Sequence, residues 1–141
     1  MSIEITKVGM GVVILKEGKI LLGKRKGSFG SEEYASPGGH LEYMESFENG
    51  IRREVREECG IEIKNIKFIH VANEVTYAPK HYVNVQFLAD WESGEPITFE
   101  SEKIGGWNWY SFDSLPDKIF ELTRKGIESY KTGRNYFDIE K

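Results

Sequence analysis

The sequence predicts one mixed α/β (α+β) domain spanning residues 1–141, and three observations carry that expectation. The length suits a single hydrophobic core and is short for two. Strand-like stretches surround a helical stretch in mid-chain, so helices and strands are intermingled along the chain. No internal repeat, low-complexity tract or Pro/Ser-rich linker divides it.

The first strand is expected at Val8–Leu15, followed by a turn at Lys16–Lys19 and a second strand at Ile20–Lys24; the glycine in the turn makes this a β-hairpin. A loop rich in Gly, Ser and charge follows over Lys26–Glu33 and leads into Pro37, Gly38 and Gly39. From Ser46 to Cys59 the pattern turns helical: Phe47, Ile51, Val55 and Cys59 recur every four residues and form one apolar stripe. Ser46 caps the start, and Gly60 ends the helix. Two further strands are expected at Ile61–Asn73 and Tyr82–Trp91, the latter alternating Val83, Val85 and Phe87 against Asn84 and Gln86. Trp107–Tyr110 reads as a short strand. The last helix is expected from Asp117 to Tyr130, carrying Ile119, Leu122, Ile127 and Tyr130.

Composition narrows the function classes. Apolar residues make up 39% and charged residues 30%, ordinary for a globular protein. A formal charge of −4 argues against gripping a nucleic-acid polymer, which requires a basic surface. Small anionic ligands fit, provided a local basic patch and a metal offset the repulsion. Cys59 is the single cysteine, which rules out an intramolecular disulfide and favours a reducing, cytoplasmic setting. The apolar run Val8–Leu15 contains two glycines and is too short to span a bilayer, so no membrane partner is expected.

The chemistry is concentrated between Gly39 and Ile61. Glu54, Glu57 and Glu58 stand at i, i+3 and i+4, so their carboxylates share one helix face beside the apolar stripe. Like charges at that spacing repel. Arg53 and Arg56 are expected to point away from this triad, which leaves a hard divalent cation as the compensating charge, and oxygen ligands suit Mg²⁺ or Mn²⁺. Gly38 and Gly39 allow close backbone approach, so a carbonyl there can add an oxygen ligand. A solvated, ion-paired helix face would explain the glutamates alone. It does not explain their coincidence with Gly38-Gly39, Glu45 and the Gly60 stop.

This stretch resembles the Nudix box, GX5EX7REUXEEXGU with U a bulky apolar residue. All its fixed positions are matched by Gly39, Glu45, Arg53, Glu54, Val55, Glu57, Glu58, Gly60 and Ile61. The resemblance implies a Nudix-type α/β/α sandwich with a mixed β-sheet and a catalytic loop-helix-loop. It implies Glu54, Glu57 and Glu58 as Mg²⁺ ligands, with Mn²⁺ able to substitute, and Gly38 as a carbonyl ligand. Glu45 would order the loop and helix start, and Arg53 would orient a neighbouring glutamate through a charge-assisted bond. A further glutamate would come from the loop before the final strand, with Glu102 preferred over Glu100. Glu54 is the first choice of general base; Glu58 and the loop glutamate remain open, because closely packed acids titrate as a group.

The substrate expectation is a nucleotide held by Lys24, Arg25, Gly39 and His40. Arg25 is favoured as the phosphate contact for its forked donors. Phe29, Tyr34, Asn84 and Trp109 are the candidates for the base, while His81 and Tyr82 are expected to be structural. Similarity to MutT-like enzymes, carried by Leu22–Ser28, Pro37–Glu42 and His81–Val83, implies a (deoxy)nucleoside triphosphate cleaved to monophosphate and pyrophosphate. ADP-ribose or a dinucleoside polyphosphate is the alternative within the family, and a non-catalytic nucleotide-sensing domain the alternative outside catalysis. A homodimer is compatible with the resemblance. Ala35-Ser36 and the final-helix residues Glu121, Leu122 and Thr123 depart from the MutT-like branch and leave the base open.

Overall fold

The first strand runs over Thr6–Lys16 (β1) and the second over Lys19–Arg25 (β2), each slightly longer than the sequence pattern predicts. Glu17 and Gly18, both with positive φ, form the turn between them. Two central residues of that kind match the right-handed twist of the flanking strands. The computed structural model describes residues 3–27, 30–99 and 101–140. Phe29 and Glu100 therefore lie outside the described residues.

Two short strands follow, Tyr34–Ala35 (β3) and Gly38–His40 (β4), where a short apolar-polar stretch running into the glycines was expected. The helix Phe47–Cys59 (α1) has Ser46 as its cap, whose hydroxyl accepts from the Asn49 amide, and ends at Gly60 in the left-handed conformation. Its buried residues are Gly50, Ile51, Val55 and Cys59. Phe47, expected on the apolar stripe, is half exposed and only tilts onto Phe87 at 5.7 Å. Glu62–Glu74 (β5), His81–Ser93 (β6) and Ile104–Ser111 (β7) complete the central strands.

The last helix is Glu121–Thr132 (α2), shifted toward the C-terminus from the expected Asp117–Tyr130. Residues 118–120 are used otherwise: the Tyr34 amide donates to the Lys118 carbonyl, and the Phe120 amide donates to the Tyr34 carbonyl. Those groups serve β3 and cannot enter the first helical turn. A strand at Tyr136–Ile139 (β8), not anticipated, pairs parallel with β5 and buries Phe137 and Ile139.

Among the described residues the strands form one mixed eight-stranded sheet, in the order β3-β2-β1-β6-β5-β8, with β4 on β1 and β7 on β2. β1 and β6 run parallel in register from Thr6↔His81 to Leu15↔Asp90. The sheet separates two cores. Val12, Ile14, Phe87 and Ala89 pack with Ile51, Val55 and Cys59 of α1, whereas Val13, Ile20, Leu22 and Leu88 pack with Ile127 of α2. Each fully buried Ile or Val contributes about 1.5–3 kcal/mol, so the stripe on α1 is enough to dock that helix.

Helices cover both faces of the sheet. Asn84 and Gln86 alternate with Val83, Val85 and Phe87 along β6, as the pattern predicts. They are 7% and 2% exposed, because their side of β6 faces α2 rather than water.

Candidate active site

A cavity opens where β1 and β6 meet the glycine loop and the start of α2. Gly9, Gly11, Arg25, Gly38, Gly39, His40, Glu58, Tyr82, Asn84, Gln86, Phe120, Leu122 and Thr123 are among the residues that line it. β4 brings Gly38 and Gly39 to its rim by pairing Gly38 with Gly11 and Gly39 with Met10.

The loop and α1 meet as the acidic spacing anticipates. The Gly38 amide donates to Glu58 Oε1 at 2.8 Å. A Cβ on Gly39 would collide with the Glu54 carboxylate. Glu54 and Glu58 thus share the face of α1 that abuts the Gly38-Gly39 backbone. The far end of α1 is anchored by Trp107, whose Nε1 donates to the Glu58 carbonyl at 3.0 Å.

Arg53 departs from the expectation that it points away from the triad. Its Nε and Nη2 grip the two Glu45 oxygens at 2.6 and 3.0 Å, while Nη1 donates to Glu54 at 2.8 Å and to Glu57 at 3.2 Å. Nη2 also donates to the His40 carbonyl at 3.1 Å. The fork therefore ties the helix start, Glu54 and Glu57 of the acidic triad, and the glycine loop together. The bonds to Glu45 and Glu54 hold the Arg53 guanidinium protonated and hold the Glu45 carboxyl below the usual carboxylate range. Arg56 does point away, pairing with Glu62 at 2.9 Å.

In this arrangement no three acidic, histidine or cysteine groups among the described residues stand close enough together to hold a metal ion. Arg53 supplies the positive charge beside Glu54 and Glu57, and Glu58 turns to the Gly38 amide. The donor set still fits a hard divalent cation: two carboxylates from one helix face lie against a backbone loop that has no side chains in the way.

The remaining expected residues divide. Arg25 lines the cavity and stacks its guanidinium 4.1 Å from the Phe120 ring centroid; burial lowers its pKa, with Tyr77, Glu58 and Glu33 acting against that. Lys24 is outside the lining, paired with Glu32 at 2.7 Å. His40 stacks on Tyr82 at 5.5 Å, and its pKa is lowered by burial and by Lys7 and Lys80. Tyr82, expected to be structural, lines the cavity; His81 instead bonds Thr6 at 3.0 Å and Asn73 at 2.6 Å. Tyr34 packs edge-on against Tyr110, and Trp109 packs against the α1 core, so neither lines the cavity. Glu102 is exposed in the turn before Ile104, a residue that does line it.

Sequence reasoning missed Gln86 as a cavity residue; Ser36 and Thr123, noted only as departures from the MutT-like branch, line the cavity as well. The Ser36 amide donates to Thr123 Oγ1 at 2.9 Å, which fastens the glycine loop to α2. The available signal for Gln86 was its i+2 relation to Asn84 on one strand face.

Comparison with known proteins shows the family. The NUDIX domain family model matches residues 5–130. The NAD-capped RNA hydrolase NudC of Haemophilus influenzae is 36% identical over 110 residues, covering 75% of this chain and 40% of that protein. The oxidized purine nucleoside triphosphate hydrolase of Mus musculus is 31% identical over 106 residues, covering 74% of this chain and 66% of that protein. A MutT NUDIX hydrolase from Burkholderia pseudomallei superposes with a TM-score of 0.84 at 32% identity, covering 89% of this chain and 98% of that one. The chain spans about two fifths of the length of the NudC relatives it matches.

Proposed function

This chain belongs to the Nudix family, and from that premise we propose that it hydrolyses a (deoxy)nucleoside triphosphate to monophosphate and pyrophosphate with Mg²⁺. One observation carries the reading: the Gly38-Gly39 loop seats the Glu54 and Glu58 carboxylates at the rim of a cavity that also holds Arg25 and Asn84. That is a phosphate-cleaving edge beside a place for a base.

Glu54, Glu57 and Glu58, with the Gly38 carbonyl, would hold the metal, and Glu102 from the loop before β7 would join them. When bound, Mg²⁺ neutralises charge on the phosphate oxygens and positions a water for in-line attack. Arg25 contacts the phosphates from the β2 end, its side chain held flat by Phe120. His40 and the Gly39 backbone border the same region, whereas Lys24 is paired with Glu32 outside the lining. Glu54 takes the proton of the attacking water within a group of acids that titrate together. Arg53 orients Glu54 and Glu57 and does not touch substrate.

The triphosphate assignment is supported by similarity to the mouse oxidized purine nucleoside triphosphate hydrolase, of which the chain covers 66%. Similarity to NudC supports a second reading, another nucleoside diphosphate derivative such as ADP-ribose or a dinucleoside polyphosphate. The test is incubation with Mg²⁺ and a panel of nucleoside triphosphates, ADP-ribose, a dinucleoside polyphosphate and NAD, with products separated by chromatography. The expected outcome is monophosphate plus pyrophosphate from a triphosphate, abolished by chelator and reduced at least a hundredfold by Glu57→Gln. Cleavage of ADP-ribose, the dinucleoside polyphosphate or NAD with no cleavage of a triphosphate would overturn the triphosphate assignment. Binding without turnover would favour a sensing domain.

A further inference from the structure

Two side-chain amides lie under the cavity without partners. Asn84 Nδ2 and Gln86 Nε2 are buried donors with no hydrogen-bond acceptor, in side chains 7% and 2% exposed, and both residues line the cavity. A buried N–H that has lost water and gained nothing is costly, so such a group is retained where a ligand completes it.

The surroundings are shaped for these amides. In the parallel register Gly9 lies opposite Asn84, and Gly11 opposite Gln86. A Cβ on Gly9 would collide with Asn84 Oδ1, and one on Gly11 would meet Gln86 Oε1 at 2.5 Å. On α2, a Cβ on Gly126 would stand 2.9 Å from Gln86 Nε2. Three glycines from two elements thus clear the space that the amides occupy. In the structure each amide turns its oxygen toward Gly9 or Gly11, while Gln86 Nε2 lies on the Gly126 side. The N–H groups are left as the unsatisfied ends.

We infer that Asn84 and Gln86 select the base, favouring nucleotides whose base carries a carbonyl oxygen on its buried edge over those carrying an amino group there. This rests on the nucleotide reading of the site and deepens it by naming the substrate class: keto bases such as hypoxanthine, guanine and uracil, against adenine and cytosine. Two buried donors are completed by carbonyl oxygens. Facing an exocyclic NH₂, they stay unpaired and meet another donor, and a site built around hydrogen bonds rejects such an analogue strongly.

The test needs no turnover. Binding of the α,β-methylene triphosphates of inosine, adenosine, uridine and cytidine to the full chain with Mg²⁺ is measured by calorimetry. We expect inosine over adenosine and uridine over cytidine by about tenfold or more in each pair. Gln86→Met keeps the length of the side chain and removes the donor; it should narrow both ratios to about threefold or less without weakening the amino-base analogues. If melting shows that Gln86→Met does not fold, Asn84→Leu carries the same expectation. Equal binding within each pair, a preference for the amino bases, no binding of any analogue, or full discrimination retained by a folded variant would each overturn the inference. A preference in binding without hydrolysis of any triphosphate would leave it standing and overturn the proposed reaction instead.

Discussion

At the scale of single residues, two adjacent glycines do different jobs. A Cβ on Gly38 would strike the Met10 carbonyl, part of the β1 backbone, whereas a Cβ on Gly39 would strike the Glu54 carboxylate at the end of a side chain. Backbone in a paired strand cannot yield cheaply; a side chain can rotate away. Gly38→Ala should therefore cost about 1–3 kcal/mol of stability, read by denaturant unfolding. Gly39→Ala should keep most of the stability and lose about a hundredfold in turnover, because the carboxylate is displaced by an ångström or more. Equal losses of stability in both variants would refute this division. The sequence pattern placed both glycines beside the acidic helix, and it did not distinguish them. That distinction depends on which atom of a distant element lies above each one.

At the scale of elements, α1 was legible almost to the residue. Its cap, its stripe and its glycine stop are local matters, set by hydrogen bonds within a few positions. Ser46→Ala should cost about 1 kcal/mol of unfolding free energy and leave turnover nearly unchanged. Arg53 belongs to the same helix, yet its role was only half legible. Its fork reaches Glu45 before the helix, the His40 carbonyl on β4, and Glu54 and Glu57 beside it. Lysine keeps the charge but has no planar fork. Arg53→Lys should therefore lower turnover about 10–100-fold, as loss of a ligand-orienting contact does, with substrate affinity changed far less. A fall in affinity with unchanged turnover would place Arg53 on the substrate instead.

At the scale of the whole molecule, burial between the sheet and its second helix layer sets the response to pH. His70 on β5 is fully buried against Phe137, its ring edge-on at 4.9 Å, and neither ring nitrogen has a partner. Burial pushes its pKa down to about 4, with Glu128 acting weakly against the shift. The unfolded chain then binds a proton between the ordinary histidine value of about 6.5 and that lowered value, while the fold does not. Stability is full above pH 6.5 or so and falls as the pH drops toward 4, by up to about 3 kcal/mol from this group. Glu74, whose carboxyl is raised by burial, changes stability in the opposite sense. The measurement is therefore a difference: His70→Leu should flatten the slope of unfolding free energy against pH over that window. An unchanged slope would show that His70 charges without cost.

The sequence by itself determined what depends on near neighbours along the chain: the hairpin turn at Glu17-Gly18, the span and caps of α1, the three glutamates on one face, and with them the family. It misplaced the start of α2, because residues 118–120 are taken by hydrogen bonds to Tyr34, some eighty positions away in the chain. It grouped Asn84 and Gln86 on one polar face of their strand without showing what covers that face, because alternation along one strand does not say whether a helix lies across it. Only the tertiary structure decided that β1 and β6 lie parallel with glycines opposite amides, and that Arg25 reaches the cavity while Lys24 pairs with Glu32. Turns, caps and helix faces follow from bonds a few residues long. Cavities follow from which distant surfaces are pressed together, and that is settled by packing over the whole chain.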